Sequence, residues 1–159
     1  EMRALGADVQ FFRVDLADPD GVRASLADVR KALGAIGVLG HGAGVEESRL
    51  IGDKDESAFH RVFDGKAVGG LALAEALEPE AFFVSMGSVA GRFGNPGQVD
   101  YSAANEAMAQ VCFSRPNSLH VDWTAWGDGG LAVRGGRDRV LGGRGGALLA
   151  ASVDGYPHR

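Results

Sequence analysis

The chain is predicted to be α/β, a doubly wound parallel sheet with helices on both faces. Three observations predict it. Short apolar runs rich in aromatic and β-branched residues alternate with stretches of helical periodicity from Val9 to Trp123. The clearer helical stretches gather their apolar residues into one stripe, as an element that covers a sheet does. And 159 residues with 45% hydrophobic and 23% charged content make one ordinary globular domain, large enough for a single core.

Taken in order, "VQFFRV" (Val9–Val14) reads as the first strand. "ADPDGVRASLADVRKALG" follows as a helix: Asp18 suits the N-cap, Pro19 the first helical position and Gly34 the stop. Val22, Leu26, Val29 and Leu33 form its apolar stripe. Ile36–Gly40 is the next strand, running into "HGAG". A long helix covers about Glu56 to Leu77, with Phe59, Val62, Phe63, Gly70, Leu73 and Leu77 on one stripe. Ala81–Ser85 is the third strand, "DYSAANEAMAQVCF" the third helix and Leu119–Trp123 the fourth strand. After about Trp126 glycine dominates, as in "GDGGLAVRGGRDRVLGGRGG" (Gly127–Gly146), and weakens helix and strand alike, so a loop-rich region is expected there.

A doubly wound sheet places its ligands at the C-terminal ends of its strands. Ser88, just past the Ala81–Ser85 strand, brings a hydroxyl to that edge; taken singly it suits a polar turn equally well. Tyr101 and Asn105, four apart, share a helix face that Met108 and Cys112 continue. An asparagine on that stripe needs a polar partner: a catalytic group, a water chain or an ordinary buried amide contact. Lys66 falls between Phe63 and Gly70 on the inner stripe of the long helix; a surface position reached by snorkelling is the alternative. Together the four types make a chemical set. Hydride reduction of a ketone needs a proton for the developing alkoxide, and a phenol supplies one, although its ordinary pKa is about 10. A neighbouring ammonium tunes that phenol toward the working pH, a serine hydroxyl holds the carbonyl oxygen, and an asparagine holds a water that returns the proton.

The stretch "SVAGRFGNPGQVDYSAAN" (Ser88–Asn105) resembles the ketoreductase domains of modular polyketide and multifunctional fatty-acid synthases, members of the short-chain dehydrogenase/reductase superfamily. In most of that superfamily tyrosine and lysine lie four apart, with the asparagine on the preceding long helix. The synthase ketoreductases exchange the last two, and this chain shows the exchanged form, with Tyr101 and Asn105 on one helix and Lys66 on the other. The resemblance implies a Rossmann-like fold and NADPH as cofactor. It implies reduction of a β-ketoacyl thioester, carried on an acyl carrier protein, to the β-hydroxyacyl form, among neighbouring synthase domains; the single cysteine, Cys112, fits a reducing cytoplasmic setting. By it Tyr101 donates the proton, Ser88 orients the carbonyl, Lys66 tunes the tyrosine and contacts the cofactor ribose, and Asn105 supports the relay.

Other stretches agree. "VDLADPD" resembles the family's segment at the adenine end of NADPH, which assigns Asp15 and Leu16; a helix-approach loop is the plainer reading. "HGAGV" resembles the loop against the cofactor, which assigns Gly42, Ala43 and Gly44. "VDWTAWGDGG" resembles the segment leading to the substrate lid. Residues 1–130 are thus expected to form a partial NADP-binding ketoreductase domain, and 131–159 a glycine- and arginine-rich lid region and tail. The family's glycine-rich phosphate loop is not found before Val9, so its first two strands are expected to be missing and the chain alone to be unstable or inactive. The family's configuration markers are also absent: Glu46, Glu47 and Ser48 stand at one, Phe93 at the other. The alternative function is a structural, non-catalytic ketoreductase-like subdomain of a synthase.

Composition excludes other classes. A net charge of −5 disfavours a general nucleic-acid binder despite "VRGGRDRV" and "GGRGG". A single cysteine, Cys112, rules out an internal disulfide framework. No apolar run is long enough for a membrane span. The histidines His41, His60, His120 and His158 lack metal-ligand spacing, and "DKDES" lacks the glycine and terminal glutamate of a calcium loop, so no metal is expected.

Overall fold

A computed structural model describes Gly6 and residues 8–124. The first helix, α1 (Pro19–Leu33), begins as its sequence requires: Asp18 accepts a hydrogen bond from the Asp20 N–H, Pro19 opens the helix, and Gly34 closes it at φ +87°, a conformation that suits glycine. Strand β1 (Val38–His41) follows, then a short 3₁₀ turn at Ile51–Asp53. The long helical stretch is α2 (Glu56–Phe63), a π turn (Asp64–Val68) and α3 (Gly69–Glu75). Strand β2 (Phe82–Ser88) runs straight into the short α4 (Val89–Phe93); α5 (Val99–Ser114) and β3 (Ser118–Trp123) complete the order.

The sheet is parallel, in the order β1-β2-β3, with Val38 opposite Phe82 and Ser85 between His41 and His120. One expectation changes. The Val9–Val14 run joins no sheet among the described residues, and Phe11 is 89% exposed. A strand exists only through its ladder, and among the described residues no second strand lies beside this segment to supply one. Among the described residues three strands therefore stand where four were expected.

The parallel α/β arrangement is the Rossmann-like fold expected, and the helices among the described residues lie on one face of the sheet. Both crossovers step in the same direction across the sheet, and right-handed connections that step one way carry their helices on one side. The core lies on that side: Val22 and Leu26 of α1, Leu73 of α3, and Met108 and Cys112 of α5 gather around fully buried Phe83. The alternate residues of the strands, Val38, Phe82, Met86, Leu119 and Trp123, face away from it and stay exposed. Arg115 ties the α3–β2 connection down, donating to the Ala74, Glu78 and Ala81 carbonyls. Leu33, assigned to the inner stripe of α1, is instead exposed in its last turn.

Candidate active site

The C-terminal edge of the sheet carries the polar residues. Lys66 sits in the π turn, where the Gly69 N–H reaches back five residues to the Asp64 carbonyl as well as to that of Lys66. A π turn inserts one residue into the helical ladder and re-aims the side chains around it. Lys66 is buried, 5% exposed, with its ammonium 2.8 Å from the Met86 carbonyl of β2 and 3.4 Å from the Ala43 carbonyl just beyond β1. Among the described residues no carboxylate lies within ion-pair reach of it. Burial alone lowers its pKa, to about 8.

Ser88 ends β2 rather than following it, and its Oγ accepts the Ala90 N–H to cap α4. The hydroxyl proton remains available to a ligand oxygen. Gly91 in α4 then meets α5 at Asn105: a Cβ on Gly91 would lie 3.0 Å from the Asn105 Cβ, so its glycine permits the close approach. Asn105 is fully buried, and its Nδ2 donates to the Tyr101 carbonyl one turn back at 2.7 Å. Its Oδ1 is buried without a partner, so a water or a donor is needed there. Tyr101 is half-buried one turn earlier on α5.

The residues assigned to a cofactor flank Lys66. Gly44 lies against it, a Cβ there falling 3.6 Å from the ammonium nitrogen, while Gly42 and Ala43 are exposed. Asp15 is exposed, its carboxylate accepting the Ala17 N–H at 2.9 Å. Leu16 packs on the core, and its carbonyl lies so close to Gly69 that no side chain fits there. The Asp15–Leu16 turn therefore abuts the end of the π turn that carries Lys66.

Three features were not found from the sequence. His41, the last residue of β1, is 2% exposed, and its Nε2 lies 3.0 Å from the Lys66 carbonyl; burial is the main reason its pKa is lowered. Lys54 and Asp100 form a buried ion pair at 2.6 Å, Lys54 also donating to the Glu47 carbonyl and Asp100 accepting the Tyr101 N–H. The partners are distant in sequence, and no local pattern signals the pairing. His120 is paired with Asp122 at 3.1 Å, over Gly87, which leaves the space they occupy. Its pKa is lowered, chiefly by burial and against the pull of Asp122. Arg92 reaches the other oxygen of Asp122 at 3.3 Å.

Other groups are outside the chemistry. The Cys112 thiol is pushed up to about 11 by burial, which makes it a poor nucleophile. Among the described residues no cluster could hold a metal ion, and no helix is long and apolar enough to cross a membrane. Of the configuration positions, Glu46 bonds Ser48 and Gln98, Glu47 holds Arg61, and Phe93 is exposed. The expected lid region, 131–159, and the end of "VDWTAWGDGG" lie outside the described residues.

Comparison with known proteins gives one consistent result. The family model of the KR domain matches residues 1–128. The polyketide synthase ThaG of Burkholderia thailandensis is 35% identical over 139 residues, which are 80% of this chain and 2% of that protein. Among solved structures, a ketoreductase domain from the bacillaene assembly line superposes with a TM-score of 0.74 and 33% identity, covering 82% of this chain and 34% of that one. PlmKR1, a ketoreductase from the first module of phoslactomycin biosynthesis in Streptomyces sp. HK803, gives 0.75 and 26%, covering 81% and 31%. The chain thus spans about a third of these ketoreductase structures and a small part of the synthase.

Proposed function

This chain belongs to the KR domain family, the ketoreductase domains of polyketide synthases within the short-chain dehydrogenase/reductase superfamily, and from that premise we propose that it reduces a β-ketoacyl thioester to the β-hydroxyacyl thioester with NADPH. The acyl group is carried on an acyl carrier protein, and the chain works among the other domains of a cytoplasmic synthase. Residues up to about 130 form the cofactor-binding ketoreductase unit, and 131–159 the lid region.

The residues present fit a nicotinamide dinucleotide. Gly42, Ala43 and Gly44 offer backbone without bulk at the strand edge, the nearest atom to a Cβ on Gly42 being Met86 Cγ at 3.8 Å. The Asp15–Leu16 turn abuts the same region and suits the adenine end. When bound, the nicotinamide supplies the hydride to the β-carbon of the ketone. The chain's own residues handle the proton. Ser88, its oxygen already accepting from the Ala90 N–H, donates to the carbonyl oxygen and fixes it. Tyr101 gives its phenolic proton to the alkoxide as charge develops. Lys66 would contact the cofactor ribose, and its ammonium stabilises the phenolate left behind. Asn105 holds, through its unpartnered Oδ1, the water that returns a proton to the tyrosine.

The observation that carries this reading is Lys66: a buried ammonium, lacking a carboxylate among the described residues, at the end of the strand that leads to Ser88. A purely structural subdomain has no use for such a group, because a buried unpaired cation destabilises the fold that holds it. The test follows reduced-cofactor oxidation with a β-ketoacyl thioester, comparing wild type with Tyr101→Phe and NADPH with NADH. Tyr101→Phe is expected to lower kcat by roughly 100-fold or more. Equal rates for the two proteins remove the proposed role of the tyrosine.

A further inference from the structure

Lys66 is gripped at both ends by one short segment. Ala43 accepts from its ammonium, and His41, two residues earlier, meets its backbone carbonyl at 3.0 Å. That carbonyl belongs to the π turn, where the hydrogen-bond ladder is irregular: the Gly69 N–H is shared between Asp64 and Lys66. The Lys66 oxygen keeps a lone pair for a second donor, and the imidazole occupies it.

The imidazole has little freedom to do anything else. It is 2% exposed, on the helix-covered side of β1, facing α3 at Gly70. A Cβ on Gly70 would run into both Met108 Sδ and His41 Cδ2, so a bare backbone at that point lets the ring reach the turn. Because the partner is a carbonyl oxygen, Nε2 must carry the hydrogen. A neutral ring satisfies this, and burial favours the neutral form beside the ammonium. Lys66 from the π turn is the charged group that acts on His41, and it acts also on His120 of β3, beside Asp122 and Arg92.

We infer that His41 is a positioning residue for Lys66: its Nε2–H anchors the carbonyl of the π turn and so holds the ammonium between the ends of β1 and β2. It touches neither ketone nor cofactor and acts only through the lysine. The inference rests on the reading of Lys66 as the group that tunes Tyr101, but its central claim concerns where the ammonium sits.

The test reads that placement directly. Trace acylation of the Lys66 amine across a pH series in the whole chain gives its titration midpoint, located by peptide mapping. Wild type is expected to titrate near 8. His41→Gln, whose amide offers a donor at a similar reach, is expected to stay there. His41→Leu, which fills the space without a donor, is expected to move the midpoint up toward the ordinary 10.5 as the ammonium gains water. Where ketone reduction is assayed, the leucine variant is expected to lose about tenfold in kcat with KM unchanged, and the glutamine variant to recover most of it.

Far-UV circular dichroism confirms that each variant is folded. Equal midpoints for the leucine and glutamine variants overturn the inference, since the ring would then be mere filler. A leucine variant that does not fold while glutamine folds and titrates near 8 supports the anchor; loss of folding in both overturns it as a hydrogen-bond effect. The two readings fail separately. Wild-type and variant midpoints as expected with no ketone turnover would refute the reductase and leave the anchor. Turnover with unmoved midpoints would do the reverse.

Discussion

Lys54 and Lys66 are both buried lysines, and the fold treats them in opposite ways. Lys54 lies 2.6 Å from Asp100, with the two side chains 3% and 1% exposed, and its remaining donors find the Glu47 carbonyl. Lys66 has carbonyl oxygens only, from Ala43 and Met86, and its pKa is lowered to about 8. A cation enclosed with its own counter-charge is complete, and what it does is hold the 42–53 loop to the first turn of α5, just where Tyr101 begins. A cation enclosed without one has its charge unbalanced, ready to stabilise a negative charge that arrives or develops nearby. The same residue type thus serves architecture at one position and, in the function proposed, chemistry at the other.

The contrast can be broken most sharply by removing each amine. Lys66→Met is expected to lower ketone reduction about a thousandfold, in the range for a lost acid–base partner. Its thermal midpoint should not fall, because an uncompensated buried charge goes with it. A wild-type rate in that variant would end the chemical role of Lys66. Lys54→Met is expected to do the opposite. It strands the Asp100 carboxylate and should cost about 3–5 kcal/mol in urea denaturation, while Lys54→Met combined with Asp100→Leu recovers much of that. An unchanged denaturation midpoint in the single variant would show that the ion pair contributes nothing.

The pH dependence sharpens the comparison further. Unfolded, Lys66 titrates near 10.5, and folded near 8. Below 8 both states hold the proton and the native state bears the full burial penalty. Between 8 and 10.5 the unfolded state binds more protons, so the Lys66 contribution to stability rises with pH, by about 3 kcal/mol at most. Reduction should decline over the start of the same window as the ammonium is lost. In Lys66→Met the rise in stability across that window should disappear; a rise of equal size in the variant would assign it to another group.

Much of the proposed site rests on residue order alone. The spacing of Tyr101 and Asn105, and the placement of Lys66 between Phe63 and Gly70, depend only on the helical period, which a sequence displays directly. The caps of α1 were equally plain, because Asp18, Pro19 and Gly34 act on their own backbone. What escaped was everything requiring a distant partner. Val9–Val14 has strand-like composition, yet a strand needs a neighbour that composition does not supply. The π turn re-aims the side chains around Lys66 through a change in backbone hydrogen bonding that residue spacing does not display. Ser88 proved to be both the end of β2 and the cap of α4, a helix too short for a periodic signal.

By itself, then, the order of residues determined the alternation of strand and helix, the family, and the four side-chain types proposed to meet at a ketone. Those are consequences of local periodicity and of motifs whose members lie close along the chain. Only the tertiary structure decided that the helices share one face of the sheet, that His41 grips the turn bearing Lys66, and that one lysine is paired with a carboxylate and the other is not. Each of these depends on which segments come to lie side by side, and that is settled by the direction of the crossovers and the packing of the core.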